Sequence, residues 1–390
     1  MKCESQFREM YGREPEGIAF CPYRICTLGA HIDHQNGKIN GFAIDKGIHI
    51  AYARKQNGVV ELSSLNFPKR AQFHIREIPE QKAGDWADHL RGAAKVLTEE
   101  TPLQYGLAAV IEGTLPVGGL SSSASVIIAF LKALCAVNGV HLEPWTIIRL
   151  AKRAENEYVG VSCGKLDQSC EVLSRQGRML FLDCADDSFR LIPTPESMPA
   201  HEIAVFFSGV ERSLANSKYN LRVDECKSAA YDLLAFAGME YGKYADTRLR
   251  EVPREVYEQY RDRLPVPFRK RADHFYGEIR RAELGAEAWE RGDLETYGRL
   301  IFESGKSSVE NYECGSPELI ALYEIMTRTK GIYGGRFSGA GFKGCCMALT
   351  DPARREEIQA EVTAAYLKRF PEMEGKFSAH FCRSADGVVI

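Results

Sequence analysis

The decapeptide PVGGLSSSAS, Pro116–Ser125, sets two glycines and four serines immediately ahead of a long apolar run, VIIAFLKALCAV (126–137). The apolar run has no polar residue until Lys132, so it reads as a buried helix. Glycine lets a backbone approach a ligand closely. Free N–H groups at a helix start, together with the helix dipole, attract phosphate. The serine hydroxyls are suited to donating to phosphate oxygens or to holding Mg²⁺. A serine-rich capping loop is the plainer alternative, but a cap uses one serine rather than four of five residues. The stretch is therefore expected to be a phosphate loop.

Two other segments carry chemistry. PYRICTLGAHIDHQNG, Pro22–Gly37, packs Arg24, His31, Asp33 and His34 around Gly29-Ala30. Arg24, in a strand before a glycine turn, suits an anion or a developing phosphoryl charge. HIDH has metal-binding residue types, but no further His/Cys cluster with zinc spacing follows, and an Asx-type turn at Asp33 is the simple alternative. ENEYVGVSCGKLDQ (155–168) continues an amphipathic helix in which Ile147, Ile148, Ala151, Ala154 and Tyr158 share one face. Glu155 falls on that face, where a carboxylate needs an ion pair or a metal. Asp167 lies in a glycine-containing turn and is either functional or a helix N-cap.

Two lookalikes fail. ESGKSS (303–308) lacks the glycine a Walker loop requires, since Leu300 stands there. GAGFKG (339–344) fits a dinucleotide fingerprint but precedes the strand-like CCMAL rather than a helix. It is read as a glycine-rich turn lying close to a ligand or to the phosphate loop.

Length and composition bound the rest. A chain of 390 residues, 45% hydrophobic and 26% charged, predicts a packed core and two domains. A net charge of −3 gives no reason to expect nucleic acid. The polar N-terminus and the lack of an 18-residue apolar run give no signal peptide or membrane span, so a soluble cytoplasmic protein is expected. The 12 cysteines are scattered without a C-x-x-C pair, as in a reduced chain. AIDKGIHIAYAR, FHIREI, GLAAVIEGTL, HEIAVFFSGV, GCCMALT and the terminal FSAHFCRSADGVVI read as strands. Residues 220–329 read as mostly helical, and Asp351 as the N-cap of a helix over 351–370. The polar, proline-bearing CADDSFRLIPTPESMP (184–199) reads as the crossing between domains. The fold class is α+β.

The three glycine-bearing motifs, in this order, resemble the GHMP kinase superfamily (galactose, homoserine, mevalonate and phosphomevalonate kinases), and its galactokinase branch in particular. PYRICTLGAHIDHQNG resembles the signature G-R-x-N-x-I-G-E-H-x-D-Y, PVGGLSSSAS the phosphate loop, and RFSGAGFKGCC the third motif. CGKLDQ, SGVERSLANSKYNLR and GDLETYGRLIFESGKSSVENYECGSPEL are similar to galactokinase segments as well. The resemblance implies a two-lobed fold. Residues 1–185 form an N-terminal lobe like ribosomal protein S5, and residues 186–390 a ferredoxin-like C-terminal lobe. It implies transfer of the γ-phosphoryl of ATP, with Mg²⁺, to the anomeric hydroxyl of a sugar, by a monomer or homodimer. Asp167 falls on the catalytic aspartate and Arg24 on the arginine beside it. Gly118, Gly119, Ser121 and Ser122 fall on the phosphate loop, and Ser123 and Glu155 on the Mg²⁺-associated serine and glutamate. His31, Asp33, Gly164 and Tyr219 fall on sugar-contacting positions. Phosphoryl transfer needs positioning and charge neutralisation, which these residue types supply.

The departures carry the specificity. Galactokinases have glutamate at Ala30, where it holds the sugar's 6-hydroxyl. Alanine removes that charge, which suits a sugar whose C6 is a carboxylate, because like charges in a poorly solvated pocket repel. Tyr23, His34, Lys165 and Lys343 also depart from the family pattern, and Lys165 or His34 is expected to pair with the carboxylate. The pattern RICTLGAHIDHQNG resembles the galacturonokinase subgroup. The expected reaction is D-galacturonate to galacturonate 1-phosphate. Galactose phosphorylation is the alternative. A non-catalytic sugar and ATP sensor is the remote one, since the phosphate loop and Asp167 both look intact.

Overall fold

The computed structural model describes residues 1–210 and 215–388. Part of SGVERSLANSKYNLR (208–222) and the last two residues of FSAHFCRSADGVVI therefore lie outside the described residues. Two sheets organise the chain. The first is built from β1 (Gly17–Leu28), β2 (Lys38–Lys55), β3 (Val59–Ser64), β4 (Ala71–His74), β5 (Gly106–Gly113), β6 (Arg178–Asp183) and β7 (Phe189–Pro193). The second contains β8 (Glu202–Phe207), β9 (Ile332–Phe337), β10 (Cys345–Thr350) and β11 (Ser378–Cys382) in the order β11-β8-β10-β9, all antiparallel. A last short strand, β12 (Ser384–Ala385), leaves the second sheet and pairs with β2 of the first.

β2 is the spine of the first sheet. Its start, Lys38–Gly41, pairs with β6, and Ile48–Lys55 pairs with β5. β1 runs antiparallel along its length, with register shifts at Pro22/Tyr23 and Cys26/Leu28. Such irregularities re-aim side chains at sheet ends, and Arg24 sits between the two. The segment from Cys21 to Leu28 is buried throughout. The helix Ser122–Asn138 lies across β1 and β2 with Ile127, Ile128, Phe130, Leu131 and Leu134 fully buried. Its apolar character on every side is what a helix enclosed by a sheet and other helices requires. Truncating Phe130 to alanine there would destabilise the protein by about 3–5 kcal/mol.

The expected strands and helices fall where the patterns put them, with four corrections. FHIREI is a strand only to His74, after which Ile75 bonds back to Gly58 and the chain turns. The helix bearing Glu155 does not run regularly to Gly160. It changes to a π-helical turn over Ala154–Val159, closed by the Gly160 N–H to the Glu155 carbonyl. Asp351 caps a short 3₁₀ turn, Pro352–Arg354, through the Ala353 N–H, and the helix proper is Arg355–Arg369. The stretch 184–199 holds β7, paired with β6, so the chain crosses to the second sheet only after Pro193. ESGKSS lies inside the helix Leu294–Glu310, with Ser304 and Ser308 bonded to Arg336. Among the described residues no helix is long and apolar enough to cross a membrane.

The helix Val266–Glu290 ties the halves together. It packs on β1, β2, β6 and β7 as well as on its neighbouring helices.

Candidate active site

A cavity of about 680 Å³ opens between the sheets. Arg24, Ala30, His31, Asp33, Gly118, Gly119, Ser121, Ser122, Ser123, Glu155, Asp167 and Tyr219 line it. Gly164 and Lys165 do not. Gly164 packs against Asp33 so closely that a β-carbon would stand 2.2 Å from Asp33 Oδ2. Lys165 precedes the helix Leu166–Leu173, and its ammonium pairs with Asp187.

The expected phosphate loop is built by backbone. Gly118 (φ 127°) and Gly119 (φ 83°) take conformations that favour glycine, and Ser121 is also left-handed at φ 58°. A non-glycine residue in that region is held by its surroundings at a cost of about 1–3 kcal/mol. No serine side chain caps the helix Ser122–Asn138, and among the described residues the buried Ser121 hydroxyl has no hydrogen-bond partner. The first-turn N–H groups are thus left without a side-chain cap, in keeping with an anion site rather than a capping loop. Ser125 points away from the cavity. It turns inward and donates to Glu171 Oε1 at 2.6 Å.

Asp167 is in the first turn of the helix Leu166–Leu173 and does not cap it. Arg24 Nε donates to Asp167 Oδ1 at 2.8 Å, and its Nη1 donates to the Gly119 carbonyl at 3.2 Å. The guanidinium is buried while the carboxylate is about a quarter exposed to the cleft. Burial opposes charge on Arg24, but Asp167 outweighs it and holds the guanidinium's pKa above its ordinary value. One arginine thus joins the carboxylate to the phosphate loop.

Glu155 lies close by on the π-helical turn, a feature often found at functional sites. It accepts from Gln168 Nε2 at 2.6 Å and from the Cys163 thiol at 3.5 Å. Burial, and then the charge of Asp167, push its pKa up to about 7.

The sugar-side turn follows β1. Gly29 (φ 81°) admits the Lys38 carbonyl where a β-carbon would stand, at 2.1 Å. His31 is left-handed at φ 63° and stacks on Tyr312 at 4.5 Å. Asp33 Oδ2 accepts the Leu166 N–H at 3.1 Å, tying this turn to the Asp167 helix. Burial and the Asp167 charge raise the Asp33 pKa. His34 does not line the cavity. It bonds to the Tyr312 hydroxyl at 3.2 Å and to Gln35, and burial pulls its pKa down to about 3, so it is neutral. Neither expected cationic partner of a substrate carboxylate therefore reaches the cavity.

Two sets of residues escaped the sequence reading, and a third, in the third glycine motif, was singled out there without a role. Phe67 and Trp86 stack at 6.0 Å on the cavity wall, joined by Lys69, whose carbonyl accepts the Trp86 indole N–H. Lys343, with Gly339 and Ala340, lines the wall from the third glycine motif. His274 and Glu278 brace the sugar-side turn from behind: His274 Nε2 donates to the Ala30 carbonyl at 3.0 Å, and the Gly29 N–H donates to Glu278 Oε2 at 2.8 Å. His274 and Glu278 are four residues apart on a buried helical face, and that spacing of two polar groups was the available signal.

Comparison with known proteins bears directly on this geometry. Residues 5–54 match the galactokinase galactose-binding signature, residues 88–175 the GHMP kinases N terminal domain, and residues 286–368 the GHMP kinases C terminal domain. The chain is 38% identical to a galacturonokinase of Arabidopsis thaliana, over 97% of this chain and 95% of that one. It is 31% identical to a galactokinase of Homo sapiens, over 98% and 94%. The crystal structure of Lactococcus lactis galactokinase complexed with galactose superposes with a TM-score of 0.89 at 25% identity, covering 99% of this chain and 98% of that one. Methanococcus jannaschii mevalonate kinase shares the fold at a TM-score of 0.67, covering 95% and 98%.

Proposed function

This chain belongs to the GHMP kinases, in their galactokinase branch, and is a sugar kinase; from that premise we propose that it transfers the γ-phosphoryl of ATP to the anomeric hydroxyl of D-galacturonate. The observation that carries the substrate assignment is Ala30. It is buried in the cavity wall beside His31 and brings no charge to the place where a carboxylate would sit. The resemblance to the Arabidopsis galacturonokinase supports the same sugar acid.

In this mechanism Asp167 takes the proton of the anomeric hydroxyl as its oxygen bonds to the γ-phosphorus, while the bond from that phosphorus to the β-bridging oxygen breaks and ADP leaves. Arg24 holds the Asp167 carboxylate in place and, linked to the Gly119 carbonyl, balances charge near the transferring group. The backbone N–H groups of Gly118–Ser123 cradle the nucleotide phosphates, with Ser121 and Ser122 hydroxyls as further donors. His31 and Asp33 bond to ring hydroxyls, and Tyr219 closes the wall.

The residues present fit a magnesium ion. Glu155 is a buried carboxylate facing a second carboxylate, which is unfavourable until a cation is added. Ser123 and Glu155 would hold it, leaving its remaining positions to phosphate oxygens and water. When bound it supplies neutralisation of phosphate charge.

Side-by-side kinetics with ATP on galacturonate, glucuronate and galactose test the proposal. The highest kcat/KM is expected for galacturonate. A preference for galactose would reject the sugar-acid assignment and leave galactokinase activity in its place, and no turnover of any sugar would reject catalysis.

A further inference from the structure

Glu171 is a fully buried carboxyl that the proposed reaction does not use. It stands one turn after Asp167 on the helix Leu166–Leu173. Ser125 stands one turn after Ser121, the residue that opens the helix Ser122–Asn138. The two meet behind the cavity wall, where Ser125 Oγ donates to Glu171 Oε1 at 2.6 Å. The same hydroxyl lies 3.1 Å from the Ser121 carbonyl and 3.2 Å from the Pro22 carbonyl, and Glu171 Oε2 lies 3.9 Å from the Cys21 sulfur. Cys21 and Pro22 belong to β1, the strand of Arg24. The elements that carry Asp167, Arg24 and the expected phosphate loop are therefore tied twice. In front, Arg24 bonds to Asp167 Oδ1 and to the Gly119 carbonyl. Behind, Ser125 bonds to Glu171. A single tie would let the two helices pivot about it. A second tie one turn along each helix, about 5.4 Å away, removes the pivot. Burial pushes the Glu171 pKa well above the usual carboxylate range, with the Asp167 and Glu155 charges acting the same way against the Ser125 bond and Arg24. The carboxyl is thus a neutral acid, with Oε1 accepting from Ser125.

We infer that Glu171 is a positioning residue for phosphoryl transfer, locking the helix of Asp167 to the helix that follows the phosphate loop and so setting the distance from the base to the γ-phosphoryl. The inference rests on the mechanism proposed above, in which Asp167 takes the proton, and extends it to a residue that touches no substrate. Phosphoryl transfer depends on placement, and a displacement of about 1 Å lowers the rate about 10²-fold. Cys21, Pro22, Ser121, Ser125 and Glu171 all lie outside the sugar-side turn, so the two sugars should respond alike.

The test follows ADP release to obtain kcat and KM for galacturonate, galactose and ATP in wild type, Glu171→Leu, Glu171→Gln, Ser125→Ala and the double variant Glu171→Leu/Ser125→Ala. Thermal midpoints of all five proteins are measured first. Glu171→Leu keeps the side chain's bulk, and the Ser125 hydroxyl keeps the Ser121 and Pro22 carbonyls as acceptors, so no buried donor is stranded. This variant should lose roughly ten- to hundredfold in kcat on both sugars, with each KM little changed. Glu171→Gln retains a carbonyl oxygen for the Ser125 hydroxyl and should restore most of kcat. Ser125→Ala should resemble Glu171→Leu, and the double variant should be no slower than the slower single, because both changes remove one bond. An unchanged kcat in Glu171→Leu overturns the inference. So does a Glu171→Gln variant as slow as Glu171→Leu, or a double variant in which the two losses multiply. If neither Glu171 variant folds, Ser125→Ala decides: a lower kcat at unchanged KM supports the tie, and a wild-type kcat overturns it. An Asp167→Asn variant as fast as wild type, or a wild type that turns over neither sugar, rejects the mechanism itself, and the inference falls with it.

Discussion

The phosphate loop and the sugar-side turn face each other across one cavity, and they are built by opposite means. The proposed phosphate loop works with main chain: positive-φ glycines, a helix start with no side-chain cap, and Gly339 and Gly344 pressed on Gly118–Gly119 so closely that a β-carbon on either would stand 2.9 Å or 2.6 Å from them. The sugar-side turn works with side chains. His31, Asp33 and the space beside Ala30 are each held by a partner far away in sequence, namely Tyr312, the Leu166 N–H and His274. On the proposed reading, a backbone cradle accepts any nucleoside triphosphate tail of the right shape. A side-chain wall is retuned by one substitution. The contrast implies that catalysis and specificity are separable in this protein.

Four changes break or sharpen that contrast. The largest effect is expected where both halves meet. Asp167→Asn should lower kcat by about 10²–10⁴ on every sugar, the range typical of losing a general base. A coupled assay of ADP release would measure it, and a loss below tenfold would remove Asp167 from proton transfer. Next comes Gly119→Ala, whose methyl would lie 2.6 Å from Cys345 Sγ at φ 83°. Displacing the loop by about 1 Å should lower kcat/KM about 10²-fold, equally for galacturonate and galactose. Unequal losses would show that the loop takes part in sugar choice. Third, Ala30→Glu should depress galacturonate turnover by roughly ten- to hundredfold through like-charge repulsion, and spare galactose. No loss would remove Ala30 from the specificity argument.

The smallest effect is on stability. His34 and His274 have pKa values held down to about 3 and about 4 by burial, whereas free histidine titrates near 6.5. Between about pH 6.5 and 4 the unfolded chain therefore binds more protons than the folded one, and stability falls as pH falls through that window. Thermal midpoints measured from pH 7 down to pH 4 should drop, and the drop should be shallower in His274→Asn, which keeps a donor for the Ala30 carbonyl. An identical slope in that variant would show that His274 contributes nothing to it.

The same contrast explains what was legible in the sequence. The phosphate loop is local: its glycines, serines and apolar helix are contiguous, so residue types alone announce it. Arg24 and Asp167 are 143 residues apart, and only the ordered family motifs join them before their 2.8 Å contact is seen. The braces behind Ala30 were illegible because His274 and Glu278 look like ordinary members of a charged helix until that helix is found against β1 and β2. Lys165 and His34 were misjudged for a related reason. Both stand beside the signature residues in sequence, but Asp187 and Tyr312 draw them away in space. The π-helical turn at Glu155 had no pattern to reveal it, since the same residues satisfy a regular amphipathic helix. The Phe67–Trp86 pair is 19 residues apart across β4 and the turns around it, a separation no sequence pattern links.

The bond from His274 to Ala30 also has a consequence for biosynthesis. Polypeptides are made at about 5–20 residues per second, so Ala30 precedes His274 off the ribosome by roughly ten to fifty seconds. β12, which completes the first sheet, comes later still. For most of its synthesis the nascent chain can assemble the helix of the phosphate loop, whose contacts are near in sequence. The wall proposed to choose the sugar waits for the second half to dock.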